Sequence, residues 1–300
     1  MSNDCKTFLA YQRMQVNRIW IASLDGSESH PITSDEQLFL RPSFSFDDRQ
    51  IVFSMGSGDP MSRVLHICLM DRDGQGRRKI ASGTVVRPIC SPDGRWIAYA
   101  EFTTGSYTGW ISGDSRCCVV DVTNPNNVRI VGRDLPWQWI DNQSFLSFRN
   151  STLSFWQTFI DGREQEKISP DSTIAVPLLE SKQVLVVDLR SAREGLYIGP
   201  VGSKQQPFPK VLRLVQRFKP SRGDWNVRLS PGNTFVLLVN KRLEFWRISL
   251  PSCIEERIQK SFPEYTFGTP VNISNDGKFI VYEGKVETRS KLVLMENPFE

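Results

Sequence analysis

The chain has 300 residues, and its 37 Lys and Arg nearly balance its 33 Asp and Glu, which leaves a formal net charge of +4. So mild a charge gives no support to a nucleic-acid partner. A hydrophobic content of 39% with 23% charged residues is that of a globular protein. No apolar run is long enough for a membrane helix, and residues 1–15 lack the pattern of a signal peptide, so neither is predicted.

Six cysteines are present without the even spacing of a disulfide framework. Cys117 and Cys118 are adjacent on a predicted strand, so their side chains point to opposite faces. We interpret all six as reduced thiols, which favours the cytoplasm. Export is the alternative, if a signal segment has been removed from the chain.

Hairpin repeats follow one another along the chain. An apolar run, an Asp-Gly type of turn and a second apolar run occur at residues 41–53, 87–99 and 270–282, with weaker copies at 137–148, 176–187 and 226–238. This pattern is typical of a β-hairpin, and a third strand and a short fourth strand follow most copies. Four antiparallel strands in about 43 residues predict the blade of a β-propeller.

The termini determine the predicted number of blades. Residues 1–11 are similar to residues 273–282 with one insertion, so the first repeat begins at its second strand. The sequence predicts one all-β propeller domain over residues 1–300, with seven four-stranded blades favoured and six as the alternative. The first blade then lacks its inner strand and the last its outer strand, which a missing upstream segment would explain. Ser252 and Glu255 have capping-box spacing and predict one short helix.

The turn at residues 91–94 (SPDG), with Pro88 before it and the strand 97–99 (IAY) after it, resembles the repeat of TolB-type β-propellers. The resemblance is sharp in three repeats. It implies a propeller that commonly serves as a partner-binding platform and is sometimes attached to a hydrolase. This chain departs from the exported members of the family because it shows no signal and no additional N-terminal domain. The Asp-Gly residues form turns, so their match transfers the fold and no function.

Binding is favoured over catalysis. The chain has two histidines, of which His30 precedes a predicted terminal strand and His66 lies inside an apolar strand, so neither is placed as a general base. No Gly-x-Ser-x-Gly elbow, Cys-x-x-Cys pair or complete dinucleotide loop is present, and no cofactor or metal is predicted. The alternative is a carbohydrate-active or lactone-type enzyme, a lyase or hydrolase, with carboxylates facing each other across the channel.

We label the strands of a blade A to D from the channel outward. The B–C and D–A loops then share one face of the ring, and the A–B and C–D turns share the other. The first face receives the long loop 101–114 and part of the segment 195–223, which has six Lys and Arg and no acidic residue. Arg41 and Arg87 are expected just before their inner strands, beside the channel mouth on that face.

We predict that this face binds a protein or an acidic peptide. The residues predicted to bind it are Arg41, Arg87, Tyr107, Trp110, Arg217, Lys219 and Arg222. Two alternatives remain open from the sequence: Trp110 folds back on its own blade, or the cations are scattered and solvated.

Overall fold

The fold is described from a computed structural model of the chain. The described residues are 7–59, 64–102, 115–149, 151–152, 154–168, 173–178, 183–188, 195–200, 213–214, 225–230, 234–240, 242–250, 252, 254–259, 262–266 and 271–296. Strands are numbered in chain order, and the first three are β1 (Thr7–Val16), β2 (Ile19–Ser23) and β3 (Ser29–Pro31).

Five blades are each formed by consecutive strands in antiparallel order. Blade I contains β4 (Leu38–Phe44), β5 (Gln50–Gly56), β6 (Leu65–Asp71) and β7 (Arg78–Gly83). Blade II contains β8 (Val85–Cys90), β9 (Trp96–Phe102), β10 (Ser115–Asp121) and β11 (Val128–Gly132). Blade III contains β12 (Leu135–Trp139), β13 (Ser144–Arg149), β14 (Ser154–Phe159) and β15 (Glu166–Lys167).

Blades IV and V follow the same scheme. Blade IV contains β16 (Thr173–Leu178), β17 (Gln183–Asp188), β18 (Gly195–Pro200) and β19 (Arg213–Leu214). Blade V contains β20 (Trp225–Leu229), β21 (Phe235–Asn240), β22 (Phe245–Ser249) and β23 (Glu255–Gln259). The last strands are β24 (Val271–Ile273), β25 (Phe279–Glu283) and β26 (Glu287–Glu296).

Blade VI is assembled from both ends of the chain. Its order is β24-β25-β2-β3, so the C-terminal part supplies the two inner strands and the N-terminal part the two outer strands. The register runs from Ile19 opposite Glu283 to Ser23 opposite Phe279. The described strands therefore form six four-stranded antiparallel sheets, and blades VI and I are packed against each other.

The prediction of seven blades is wrong. It counted the strand near Phe8 as the second strand of an additional blade, but β1 pairs along its full length with β26 as a separate two-stranded sheet. β2 has no free edge for β1, because β25 and β3 pair with its two sides. The helix predicted near Ser252 is also wrong, since Glu255–Gln259 is the outer strand of blade V. No helix in the described ranges is long and apolar enough to cross a membrane.

The core lies between neighbouring blades. Second strands such as β9 and β21 are buried on both faces, which explains why they read as continuous apolar runs and not as alternating ones. Val52 and Ile67 of blade I pack with Ile97 and Val120 of blade II in one cluster. Blades I and II are thus held together by their apolar faces.

The repeated A–B turns are structural, as their composition predicts. Ser91 Oγ donates to Asp93 Oδ1 at 2.5 Å, and the same carboxylate oxygen accepts the backbone N–H of Arg95 at 3.0 Å. Gly94 has a φ of 69°, a conformation that glycine adopts without steric cost. The turns at residues 45–50 and 274–279 use the same Ser–Asp bond.

Candidate functional site

A cavity of about 210 Å³ lies among the inner strands of five blades. Its lining comes from β4, β8, β12, β20 and β24 and from the turns that follow them. Three of the lining residues are the arginines Arg41, Arg87 and Arg228. The aromatic lining residues are Phe44, Phe46, Trp137 and Trp139, and the amide-bearing ones are Gln138, Asn272 and Asn275.

The inner strands carry bulges that place two of these arginines in the lining. In blade I the register shifts between Leu40 and Ser43, so Arg41 and Pro42 together face the single residue Phe53 of β5. Proline is tolerated there, because a bulged residue need not donate to the ladder. Blades II and III have the same shift between Val86 and Ile89 and between Pro136 and Gln138.

Arg41 and Arg87 both adopt left-handed backbone conformations, with φ of 52° and 57°. Such a conformation costs a residue other than glycine about 1 kcal/mol or more. Two blades therefore carry the same strained residue type at the same bulge, and both side chains line the same cavity.

Arg228 is the third cationic side chain of the lining. Its Nε donates to the carbonyl of Val271 on β24 at 3.0 Å, and its guanidinium lies over the ring of Trp137 at 5.0 Å from the centroid. Burial, and after it the positive charge of Arg41, lower the pKa of Arg228 to about 10. The two guanidinium groups therefore disfavour each other's charged form.

The lining also joins the blades to one another. Trp139 Nε1 donates to the carbonyl of Ile89 at 3.1 Å and so connects blade III to blade II. Asn272 Nδ2 donates to the carbonyl of Pro42 at 2.6 Å and connects blade VI to blade I. These bonds fix the positions of the lining strands relative to one another.

No carboxylate and no imidazole is among the described residues that line the cavity. His66 lies on the third strand of blade I, where its ring bonds to Ser82 Oγ at 2.9 Å and its Nε2 is 3.3 Å from Lys79 Nζ. Burial and Lys79 lower the pKa of His66. In the described part of the chain, no group of three or more His, Cys, Asp or Glu has the arrangement of a metal site.

One buried acid lies on the second strand of blade VI, which contacts the inner strand of blade I. Glu283, the last residue of β25, is 6% exposed, and the backbone N–H of Arg41 donates to its carboxyl group. Its Oε2 has no hydrogen-bond partner among the described residues. Burial raises the pKa of Glu283 to about 7, although the charge of Arg41 acts in the opposite direction.

Two of the predicted binding residues are brought together, but not as the sequence indicated. Arg41 and Arg87 lie within β4 and β8 and not before them, because both strands pair with their neighbours on either side of the bulge. The cavity also reaches the A–B turns, where Phe46 is 49% exposed. The predicted binding face excluded those turns, whereas in the structure the inner strands line the cavity and end in the turns.

The other predicted binding residues lie outside the described residues: Tyr107, Trp110, Arg217, Lys219 and Arg222. Sequence reasoning missed Arg228, Trp137 and Glu283. A signal for Arg228 was present, because it precedes Leu229-Ser230 as Asn272 precedes Ile273-Ser274 in the repeat. Aligned inner strands present the same position to the same side, so Arg228 was predictable as a lining residue.

The six four-stranded sheets and the arginine-lined cavity define a β-propeller with a cationic central site. No family model and no curated protein sequence matches the chain. Solved structures that are similar to it include TolB-type propellers. The putative TolB from Agrobacterium tumefaciens has a TM-score of 0.62 and 16% identity over 92% of this chain and 98% of its own.

Two further solved structures cover most of this chain. TolB from Acinetobacter baumannii has a TM-score of 0.56 and 14% identity over 95% of this chain and 66% of its own. An oligogalacturonate lyase in complex with manganese has a TM-score of 0.51 and 12% identity over 91% of this chain and 77% of its own. At these identities the similarity shows the fold alone, and function has to be argued from the site.

Proposed function

We propose that this protein is a non-catalytic β-propeller that binds an acidic protein or peptide segment at its arginine-lined cavity. The observation that carries the proposal is the convergence of Arg41, Arg87 and Arg228 on one cavity from blades I, II and V. The resemblance of the repeats to TolB-type propellers adds support, because it implies a partner-binding platform.

The three arginines of the lining favour an anionic ligand. A cleft lined by charge of one sign, with low-dielectric walls, attracts ligands of the opposite sign and speeds their association. Guanidinium groups suit carboxylates, since they present planar, fixed pairs of donors. The described lining contains no carboxylate, so it gives no support to the alternative of an enzyme with channel carboxylates.

The aromatic lining favours a peptide over a small inorganic ion. Trp137 packs edge-on against Phe155 at 5.2 Å between centroids, which holds it rigidly, and Phe46 presents an exposed ring at the turns. Rigid aromatic side chains add contact area at little entropic cost. An acidic segment with apolar neighbours therefore matches the lining better than an isolated anion.

A binding measurement with matched variants tests this proposal. The probe is a fluorescently labelled peptide of alternating Glu and Phe, followed by anisotropy at fixed ionic strength. The double variant Arg41→Asn and Arg87→Asn places asparagine, which tolerates the left-handed conformation, at both positions. We expect it to weaken binding about tenfold or more. The control, Arg163→Asn, removes an exposed arginine from an outer turn of blade III, and we expect unchanged affinity.

Equal affinity of the double variant and the wild type would overturn the assignment of the site. A DNA oligonucleotide of similar net charge serves as a competitor. If it binds as tightly as the peptide, with a steep dependence on salt, the partner is a nucleic acid and the proposed class of partner is wrong.

The cytoplasm is the compartment that we propose for this function. The described cysteines support it, since Cys68, Cys90, Cys117 and Cys118 are all free. Burial raises the pKa of the Cys90 thiol to about 12, which makes it a poor nucleophile for disulfide exchange. Fractionation of cells that express the tagged protein tests the compartment.

A further inference from the structure

The outer strand of blade II is less protected than the outer strands of the other blades. Outer strands present unpaired backbone N–H and C=O groups, which proteins normally shield by short length, charged residues or proline. β15 and β19 have two residues each, β3 ends at Pro31, and β7 and β23 each begin with two charged residues. β11 has five residues, of which Val128 is 45% exposed and Ile130 is 59% exposed. This edge is therefore open to a further strand.

The backbone groups that face this edge belong to Val128 and Ile130. At the end of β10, the N–H of Asp121 donates to the carbonyl of Asn127 at 3.2 Å. Hydrogen-bonded and non-hydrogen-bonded pairs alternate along an antiparallel ladder, so Arg129, two residues further on, also bonds to β10. The residues on either side of Arg129 then direct their N–H and C=O groups away from β10, toward the open edge.

The side chains of β11 give its two faces different chemistry. Val128 and Ile130 are two positions apart and share one face, whereas Arg129 lies on the opposite face. The guanidinium of Arg129 lies over the ring of Trp96, at 4.8 Å from its centroid. A strand added to this edge thus meets apolar side chains on one face and a cation on the other.

The exposed charge around β11 is positive. Arg133 follows the strand, and Arg78 of blade I reaches the turn before it, where it donates to a backbone carbonyl at 3.2 Å. The segment 115–134 contains two acidic residues, Asp121 and Asp134, and both are buried and form ion pairs within the protein. The edge therefore favours a negatively charged partner.

We propose that β11 binds an extended acidic segment of a partner protein, which adds to blade II as a further antiparallel strand. The segment alternates apolar residues, opposite Val128 and Ile130, with acidic residues, opposite Arg129. This surface is distinct from the arginine-lined cavity, because β11 is the outer strand of its blade and none of its residues lines that cavity.

A second copy of the chain fits this edge less well than an acidic segment. The register that places Val128 opposite Ile130 of the copy also places the two Arg129 side chains opposite each other. Like charges in directly opposite positions destabilise a strand pair. The partner is therefore a different chain, with carboxylates at alternate positions.

Binding of a synthetic peptide to the full chain tests this inference. The probe is a short labelled peptide of alternating Glu and Val, and its control has the same composition with the Glu and Val residues in two separate blocks. Ile130→Pro removes an N–H that faces the open edge and no bond to β10, whereas Ile130→Thr keeps the N–H and a β-branched side chain. By fluorescence anisotropy we expect about tenfold weaker binding to Ile130→Pro than to Ile130→Thr, and weaker binding of the control peptide. Equal affinities of the two variants, or of the two peptides, would overturn the inference.

Amide hydrogen exchange followed by NMR locates the bound peptide without any variant. In the free chain we expect fast exchange at Val128 and Ile130 and slow exchange at Arg129, and saturating peptide should slow the first two by at least about tenfold. Amides that are not slowed by the peptide contradict strand addition. Edge amides that slow with rising protein concentration in the absence of peptide identify a second copy as the partner, and the proposed class of partner is then wrong.

The same measurements separate this edge from the cavity. Slow exchange of the Arg129 amide in Ile130→Pro verifies that β11 remains paired in that variant. Loss of the peptide in Ile130→Pro with this amide still protected supports the inference. Loss of the peptide in the double variant Arg41→Asn and Arg87→Asn, with undiminished binding by Ile130→Pro, would place the peptide in the cavity and overturn the inference.

Discussion

Asn272 and Pro42 are 230 residues apart in the sequence, yet the side-chain amide of Asn272 donates to the Pro42 carbonyl at 2.6 Å. The bond joins the inner strand of blade VI to that of blade I. Asp48 reinforces the junction from the first A–B turn, since its carboxylate accepts the backbone N–H groups of Asn275 at 2.6 Å and Asp276 at 3.0 Å.

Removal of the Asn272 amide should weaken this junction. We expect Asn272→Ala to lower the free energy of unfolding by about 1–2 kcal/mol, because the Pro42 carbonyl loses its donor. Urea unfolding followed by tryptophan fluorescence measures the change. The control is Asn124→Ala in an exposed turn of blade II, which should stay within about 0.5 kcal/mol of the wild type. Equal losses in both variants would contradict the assigned role.

Replacement of Asp48 by alanine should lower the free energy of unfolding more than replacement by asparagine. It has a φ of 58°, which asparagine tolerates and alanine does not, and asparagine retains one acceptor oxygen for the two N–H groups. We expect a loss of about 2 kcal/mol in Asp48→Ala and about 1 kcal/mol in Asp48→Asn. Thermal and urea unfolding give the comparison, and a reversed order would show that the hydrogen bonds contribute little.

Two substitutions of Arg87 distinguish the effect of its backbone conformation on stability from the effect of its side chain on binding. Asparagine adopts a φ of 57° readily, whereas valine is β-branched and strongly disfavours it. We expect Arg87→Asn to be more stable than Arg87→Val by at least about 1 kcal/mol, as measured by urea unfolding. Both should bind the acidic peptide more weakly. Equal stability of the two variants would show that the left-handed conformation costs little at this position.

The pH dependence of stability follows from Glu283, whose pKa is raised in the folded chain to about 7 from an ordinary value of 4.5. Between these values the unfolded chain has released the proton and the folded chain retains it, so folding stability falls as the pH rises. We expect Glu283→Gln to be more stable than the wild type by roughly 3 kcal/mol at about pH 8, with the difference shrinking as the pH falls toward about 4.5. Urea unfolding at several pH values tests this, and a constant difference would contradict it.

The candidate site was only partly predictable from the sequence. Arg-Pro pairs occur at the same position of two repeats, 41–42 and 87–88, so two of the three lining arginines were predicted from the sequence. Their left-handed conformation was not predictable, because a bulge depends on how the inner strand pairs with the second strand. Glu283 reads as the end of an ordinary strand, and its burial arises only when blade VI packs against blade I.

A propeller of four-stranded antiparallel blades is predictable from the amino-acid sequence, because turn chemistry and apolar runs repeat at the period of a blade and act locally. The number of blades is not predictable in this way. Residues near both termini carry the same strand pattern, and the pairing of β25 with β2 and of β1 with β26 is visible only in the folded chain. Strand pairing between distant segments depends on which edge is free in the closed ring, and the same closure brings Arg41, Arg87 and Arg228 to one cavity.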